Sequence, residues 1–236
     1  MKRTISLIML VAGMICQLSA HALWIETPSK GVKNQQQTVK IYYGEYAQKE
    51  LENVGDWYSD VSQFTLWLIA PDGSRTQLET HPEANCFVAS FTPEKEGIYT
   101  LVVAHDAKFE GATKYQFNAA ASVAVGQSLE GKENQTGQDI STTLNSATAV
   151  YKVNKPVDLT ALLQGQPAED ISVEVFSPAG WNMSLTSDKE GKVSFTPVWK
   201  GVYMIEASKF RPEQGELNGV KFEKVWRCAT YLIEVR

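Results

Sequence analysis

From Phe64 to Gly73 the chain reads Phe-Thr-Leu-Trp-Leu-Ile-Ala-Pro-Asp-Gly, and from Ile171 to Gly180 it reads Ile-Ser-Val-Glu-Val-Phe-Ser-Pro-Ala-Gly. Each is an alternating run of strand-forming residues that stops at a proline-containing turn. Val173 and Val175, and likewise Ile98, Thr100 and Val102, recur at every second position, the period of a half-buried strand. Turn signals such as Pro71-Asp72-Gly73, Lys95-Glu96-Gly97 and Asp188 to Gly191 come about 8–12 residues apart, the rhythm of a β-sandwich. No stretch carries a convincing helical stripe, and residues 45–60 read as a helical turn or a long loop.

The pattern repeats. Ser90-Phe91-Thr92-Pro93, three residues and Gly97-Ile98-Tyr99 return as Ser194-Phe195-Thr196-Pro197, three residues and Gly201-Val202-Tyr203. One of the two alternating runs lies upstream of each copy. An aromatic and β-branched strand, Tyr115 to Val125 or Trp226 to Val235, closes each unit. Self-similarity of this kind predicts duplicated units. Between them, residues 127–144 are polar and turn-rich, as a linker is. The expected architecture is all-β: two tandem immunoglobulin-like or transthyretin-like β-sandwich domains, 21–126 and 145–236. Gly97 and Gly201 should open equivalent strands whose tyrosines pack at sandwich corners.

The start of the chain sets the compartment. Met1-Lys2-Arg3, the apolar run Ile5–Cys16 and the small residues after it form the three parts of a secretory signal peptide over 1–20. The apolar run falls short of the roughly 20 residues that span a bilayer, so no transmembrane segment is expected in the mature chain. Cleavage after Ala20 or after Ala22 suits a signal peptidase. The expected location is the periplasm, reached by secretion across the inner membrane. There Cys86 and Cys228 read as separately buried thiols, although the compartment permits a disulfide.

Composition narrows the function. A net charge of −5 and a pI near 5.3 argue against a nucleic-acid partner. The sequence has no Gly-x-Ser-x-Gly elbow, His-Glu-x-x-His helix, Cys-x-x-Cys pair or phosphate-cradling glycine loop, and nothing supports an enzyme. Three histidines remain. Cleavage after Ala20 would make His21 the first mature residue, with its α-amine and Nδ1 available to chelate one ion. His105, at a strand end, would supply a third nitrogen. The neighbouring Asp106 would act as an axial ligand or orient the imidazole. Tetragonal nitrogen ligation suits Cu(II) or Ni(II). His81, in a hairpin loop, is a weaker candidate. A competing reading starts from the aromatic cluster Tyr42, Tyr43, Tyr46, Trp57 and Tyr58, with Trp181, Trp199 and Trp226 in the second unit. Exposed rings stack on sugars, and such a sandwich would be a recognition module for glycan or protein.

The stretch Ala20-His21-Ala22-Leu23-Trp24-Ile25-Glu26-Thr27-Pro28 resembles the opening of the family called domain of unknown function 4198. Gly44-Glu45 after Val39-Lys40-Ile41, Gly97 to Leu101, Gly165-Gln166-Pro167 and Thr186 to Gly191 fit the same pattern. The resemblance implies an exported bacterial β protein of two Ig-like or carboxypeptidase-regulatory-like domains. Some members are labelled nickel-uptake substrate-specific components. A transition-metal ion, and a membrane transporter component to receive it, are the partners it implies.

Overall fold

A computed structural model describes residues 21–144 and 151–236. The signal-peptide expectation for 1–20 therefore falls outside the described residues. Fourteen main strands organise the rest. In the first half these are β1 (Ala22–Glu26), β2 (Gln37–Glu45), β3 (Leu66–Ile69), β4 (Arg75–Leu78), β5 (Cys86–Phe91), β6 (Gly97–Asp106) and β7 (Thr113–Val125). In the second they are β8 (Ile140–Leu144), β9 (Val157–Leu163), β10 (Ser172–Phe176), β11 (Asn182–Thr186), β12 (Lys192–Phe195), β13 (Gly201–Leu217) and β14 (Val220–Val235). Among the described residues no helix is long and apolar enough to cross a membrane.

The two sets correspond strand for strand. In the first half β1-β2-β5 pair as one sheet and β4-β3-β6-β7 as the other. In the second, β8-β9-β12 and β11-β10-β13-β14 do the same, every neighbour within a set antiparallel. Each half has its own core. Leu23, Ile41, Leu101 and Val123 belong to one, and Leu159, Val173, Ile205 and Ile233 to the other. β8 lies inside the stretch that reads as linker, because Ile140 to Leu144 pair with Leu163 to Leu159. The polar composition of 127–144 hides this strand, whose Ile140 is fully buried.

The repeated motif folds identically in both halves. Gly97 and Gly201 open β6 and β13 with φ of 137° and 134°, where a Cβ would lie 2.6 Å from Pro71 and 2.8 Å from Pro178. Only glycine accepts both that torsion and that approach. Two residues on, the Lys95 amide donates to Tyr99 Oη at 3.0 Å, and the hydroxyl donates back to the Lys95 carbonyl at 3.2 Å. Tyr203 closes the same loop with Trp199, at 3.1 Å in both directions.

The halves are fused through one sheet. β7 and β14 pair in parallel, from Thr113↔Lys224 to Ala120↔Tyr231, joining the two four-stranded sheets edge to edge. Parallel partners point to the same face, so Phe117 shares a side with Cys228 and Ala119 with Thr230. Phe117 and Ala119 belong to the first core, whereas Ala229 and Ile233 belong to the second. Successive residues of a strand alternate faces, so the two cores lie on opposite faces of the shared sheet. β1 accordingly reaches across onto β14, where Thr230 Oγ1 donates to the Leu23 carbonyl at 2.7 Å.

Candidate functional site

β1 starts immediately after His21, and its first four residues, Ala22 to Ile25, are all buried. Ala22 pairs with Gly44 at the end of β2. His21 itself stands at the open end of the first sandwich with its side chain 43% exposed. Its ring stacks on Tyr43 at 5.6 Å. Nε2 lies 2.8 Å from Glu52 Oε1. Of the two neutral tautomers, a carboxylate on Nε2 favours the one with its proton there, which leaves Nδ1 as the lone-pair nitrogen. Nδ1 is the nitrogen that closes a chelate ring with the same residue's amine.

The insertion between β2 and β3, residues 46–65, builds the rest of this rim. Trp57 is buried in the first core, donating Nε1–H to the Glu52 carbonyl at 3.2 Å. That bond anchors the segment carrying Glu52. Tyr58 remains 41% exposed, edge-on to Tyr115. Asp60 is buried and meets His105 Nε2 at 3.2 Å while accepting the Lys108 amide at 2.8 Å. Burial opposes its charge. The Lys108 amide, His105 and the Lys108 ammonium outweigh that and hold the Asp60 carboxyl below its ordinary range.

The three expected ligands do not converge. His105 faces the first core beside Phe117, and its ring is committed to Asp60. Asp106, the next residue of β6, necessarily points to the opposite face. There it takes Gln116 Nε2–H at 2.9 Å and lies 3.4 Å from Lys114 Nζ. Asp106 thus neither ligates beside His105 nor orients it. His81 sits in a two-residue edge pairing with β5, exposed to solvent. Among the described residues no group of three or more His, Cys, Asp or Glu side chains is placed to hold an ion. The two thiols are free and buried, as expected.

The aromatic residues divide between core and surface. Tyr43 and Trp57 fill the first core, and Trp226 packs against it. Trp181 and Trp199 meet edge to face at 5.6 Å on the second sandwich. The sequence left the carboxylates Glu52 and Asp60 unmarked, because their loop has no period and acidic residues are plentiful.

A family model described as a domain of unknown function (DUF4198) matches residues 18–209. The chain belongs to this family. The DUF4198 match covers the whole first sandwich and ends inside β13. No curated protein matches the sequence. Among solved structures, the fibronectin(III)-like modules of Clostridium thermocellum CbhA are 10% identical, with a TM-score of 0.26 over 90% of this chain and 94% of theirs. A marsupial T cell receptor is 12% identical, with a TM-score of 0.25 over 92% of this chain and 72% of its own. At such TM-scores neither likeness bears on this DUF4198 chain, whose strand order stands on its own pairings.

Proposed function

We propose that this DUF4198 protein is exported to the periplasm and binds a transition-metal ion there without catalysis, as a protein of nickel or copper uptake or homeostasis. In this reading His21 is the first mature residue. Its amine and Nδ1 hold the ion, which passes on to a membrane transporter component. The observation that carries the reading is the Glu52 carboxylate on Nε2, which leaves the chelating nitrogen free.

The start of β1 supports the cleavage site that this reading needs. Cutting after Ala22 would remove a residue that is 2% exposed and paired with Gly44. Cutting after Ala20 leaves the strand whole. Two nitrogens at an exposed rim leave coordination positions open, which suits a protein that must release its ion, and nitrogen donors favour Cu(II) over Ni(II) in intrinsic affinity. His105 is held by Asp60 and is not needed for the pair.

The test is calorimetric titration of the processed protein with Cu(II) and Ni(II), alongside His21→Ala and a form extended by one residue at the N-terminus. Both changes should weaken Cu(II) binding by tenfold or more, about 1.4 kcal/mol, and His81→Ala should leave it unchanged. Binding should also weaken with acidification, because both nitrogens must be deprotonated. Equal affinity in the extended form, or an intact mass that begins at Leu23, overturns the reading.

A further inference from the structure

A different region of the molecule has the properties of a ligand site. Because the cores lie on opposite faces of the shared sheet, β1 and the segment after β2 overhang the face that the second sandwich leaves uncovered. The space beneath them forms two cavities. One, of about 300 Å³, lies between Trp24, Tyr46 and Lys49 of the first half and the β10–β11 turn of the second. The other, of about 520 Å³, runs from Thr27 and Lys40 to Leu232 and Glu234. Glu26 and Tyr46 line both, so the two form one groove with these residues at its waist.

We infer that this groove binds a neutral oligosaccharide, with adjoining sugar rings on either side of Tyr46. Three observations point to this class. The end beside the second half is aromatic: the half-buried Tyr46 packs edge-on against the buried Trp24 at 5.4 Å and against Phe176 at 6.0 Å, and the half-buried Trp181 stands beside them. The other end is lined by the hydroxyls of Thr27, Ser29, Thr38 and Ser122; Thr27 donates to the Thr38 carbonyl and Ser29 to Glu234, so each keeps acceptor capacity for a ligand hydroxyl. Both signs line the groove, Glu26 and Glu234 with Lys40 and Lys49, and Arg236 pairs with Glu234 from outside it, so no strong field of one sign selects a charged ligand.

The polar groups have capacity to spare. Glu26 Oε1 accepts Trp24 Nε1–H at 3.1 Å, and its other oxygen is available to a ligand hydroxyl. Lys40 and Lys49 form no ion pair among the described residues, so their ammonium donors are also available. Asn182 gives Nδ2–H to Glu174, leaving its carbonyl for a donor. Rings for the apolar face of a sugar, with donors and acceptors for its hydroxyls, make an apolar pocket with a few placed polar groups. An extended peptide is less well served: the outward edge of β1 is turned onto the shared sheet, where Thr230 takes the Leu23 carbonyl.

The groove is tested on the processed full-length protein by tryptophan fluorescence and calorimetry, with maltotriose, cellotriose and triacetylchitotriose as probes. At least one should bind in the millimolar range or tighter and perturb the emission. Tyr46→Ala should weaken it by about tenfold, the worth of one stacked ring. Glu26→Gln, a change at an exposed side chain, should weaken it several-fold with the fold intact by circular dichroism. Trp67→Ala, on β3 and outside the groove, should change neither affinity nor specificity. No binding by any probe, binding indifferent to both Tyr46→Ala and Glu26→Gln, or displacement by an unrelated peptide would overturn the inference. His21→Ala should leave sugar binding intact, which separates this result from the fate of the metal reading.

Discussion

The two sandwiches have the same seven strands and the same corner, yet they differ sharply between their second and third strands. In the second, residues 164–171 cross from β9 to β10 by turning at Gln164-Gly165 and pairing briefly back on β9 through Gln166 and Pro167. In the first, residues 46–65 make the same crossing through three short helical turns. That insertion supplies Tyr46, Glu52, Trp57, Tyr58 and Asp60, which include both carboxylates on the histidines and the aromatic waist of the groove. The strands are a common scaffold, and the chemistry has been placed on one loop of one copy.

Equivalent positions on the strands sharpen the contrast. Aligning the hairpin pairings sets Phe117 of β7 against Arg227 of β14. Phe117 packs among Tyr43, Tyr58 and Trp226. Arg227, only 1% exposed, instead makes a two-pronged pair with Glu213 at 2.8 and 3.0 Å and reaches Asp139 at 3.3 Å. Arg227→Phe writes the residue of the first sandwich into the second and should be the most damaging of these changes. It should cost about 3 kcal/mol in chemical denaturation, short of the full penalty for a buried pair, because Glu213 keeps Arg211 and Asp139 is partly solvated. Arg227, followed by Arg211, holds the Glu213 carboxyl down to about 2 against burial. Its stabilisation is present above the ordinary carboxylate range and lost as pH falls toward 2, so the cost of the mutation should shrink in acid.

Val102 of β6 has Glu206 as its counterpart in β13. Burial, with the nearby charge of Glu45 and then of Glu174, pushes the Glu206 carboxyl up to about 7, although its hydrogen bond with Cys228 pulls the other way. The folded chain keeps a proton there that the unfolded chain loses near pH 4.5. Wild-type stability should therefore decline between pH 4.5 and about 7. Glu206→Val should raise stability by up to about 3 kcal/mol above pH 7 and bring no electrostatic gain below pH 4.5. Thermal melts across that range would check it, and a gain that grows in acid would refute the assignment.

The smallest effect tests where the copies agree. Tyr99→Phe and Tyr203→Phe each remove a hydroxyl that both donates and accepts within one loop, and each should cost about 1 kcal/mol. Unequal costs would mean that the two corners are not energetically equivalent.

These comparisons also show what the sequence makes legible. The repeated Gly-x-Tyr corner is a local device: a turn torsion, a proline contact and a bond four residues back are all written within a dozen residues. The shared sheet is not local, since β7 and β14 meet across about a hundred residues. Its trace in the sequence is an absence of alternation. Ala119-Ala120-Ala121 and Cys228-Ala229-Thr230 are buried on both faces, as strands covered on two sides are. His21 could be singled out because it adjoins a cleavage pattern. Glu52 and Asp60 could not, because a loop without period gives no clue to what it faces. His105 and Asp106 adjoin in sequence, but strand geometry sends neighbours to opposite faces, which separates that pair.

The parallel union of β7 with β14 also bears on self-association. An outer strand with unpaired main-chain groups is a template for another chain, and each half would expose one if it stood alone. In the joined molecule each half serves as the other's cap. Cutting the chain between β7 and β8 would free two complementary edges, and each fragment alone would tend to pair with its own copies, β7 on β7 or β14 on β14. Joining the two halves thus turns what would be an aggregation surface into an internal seam.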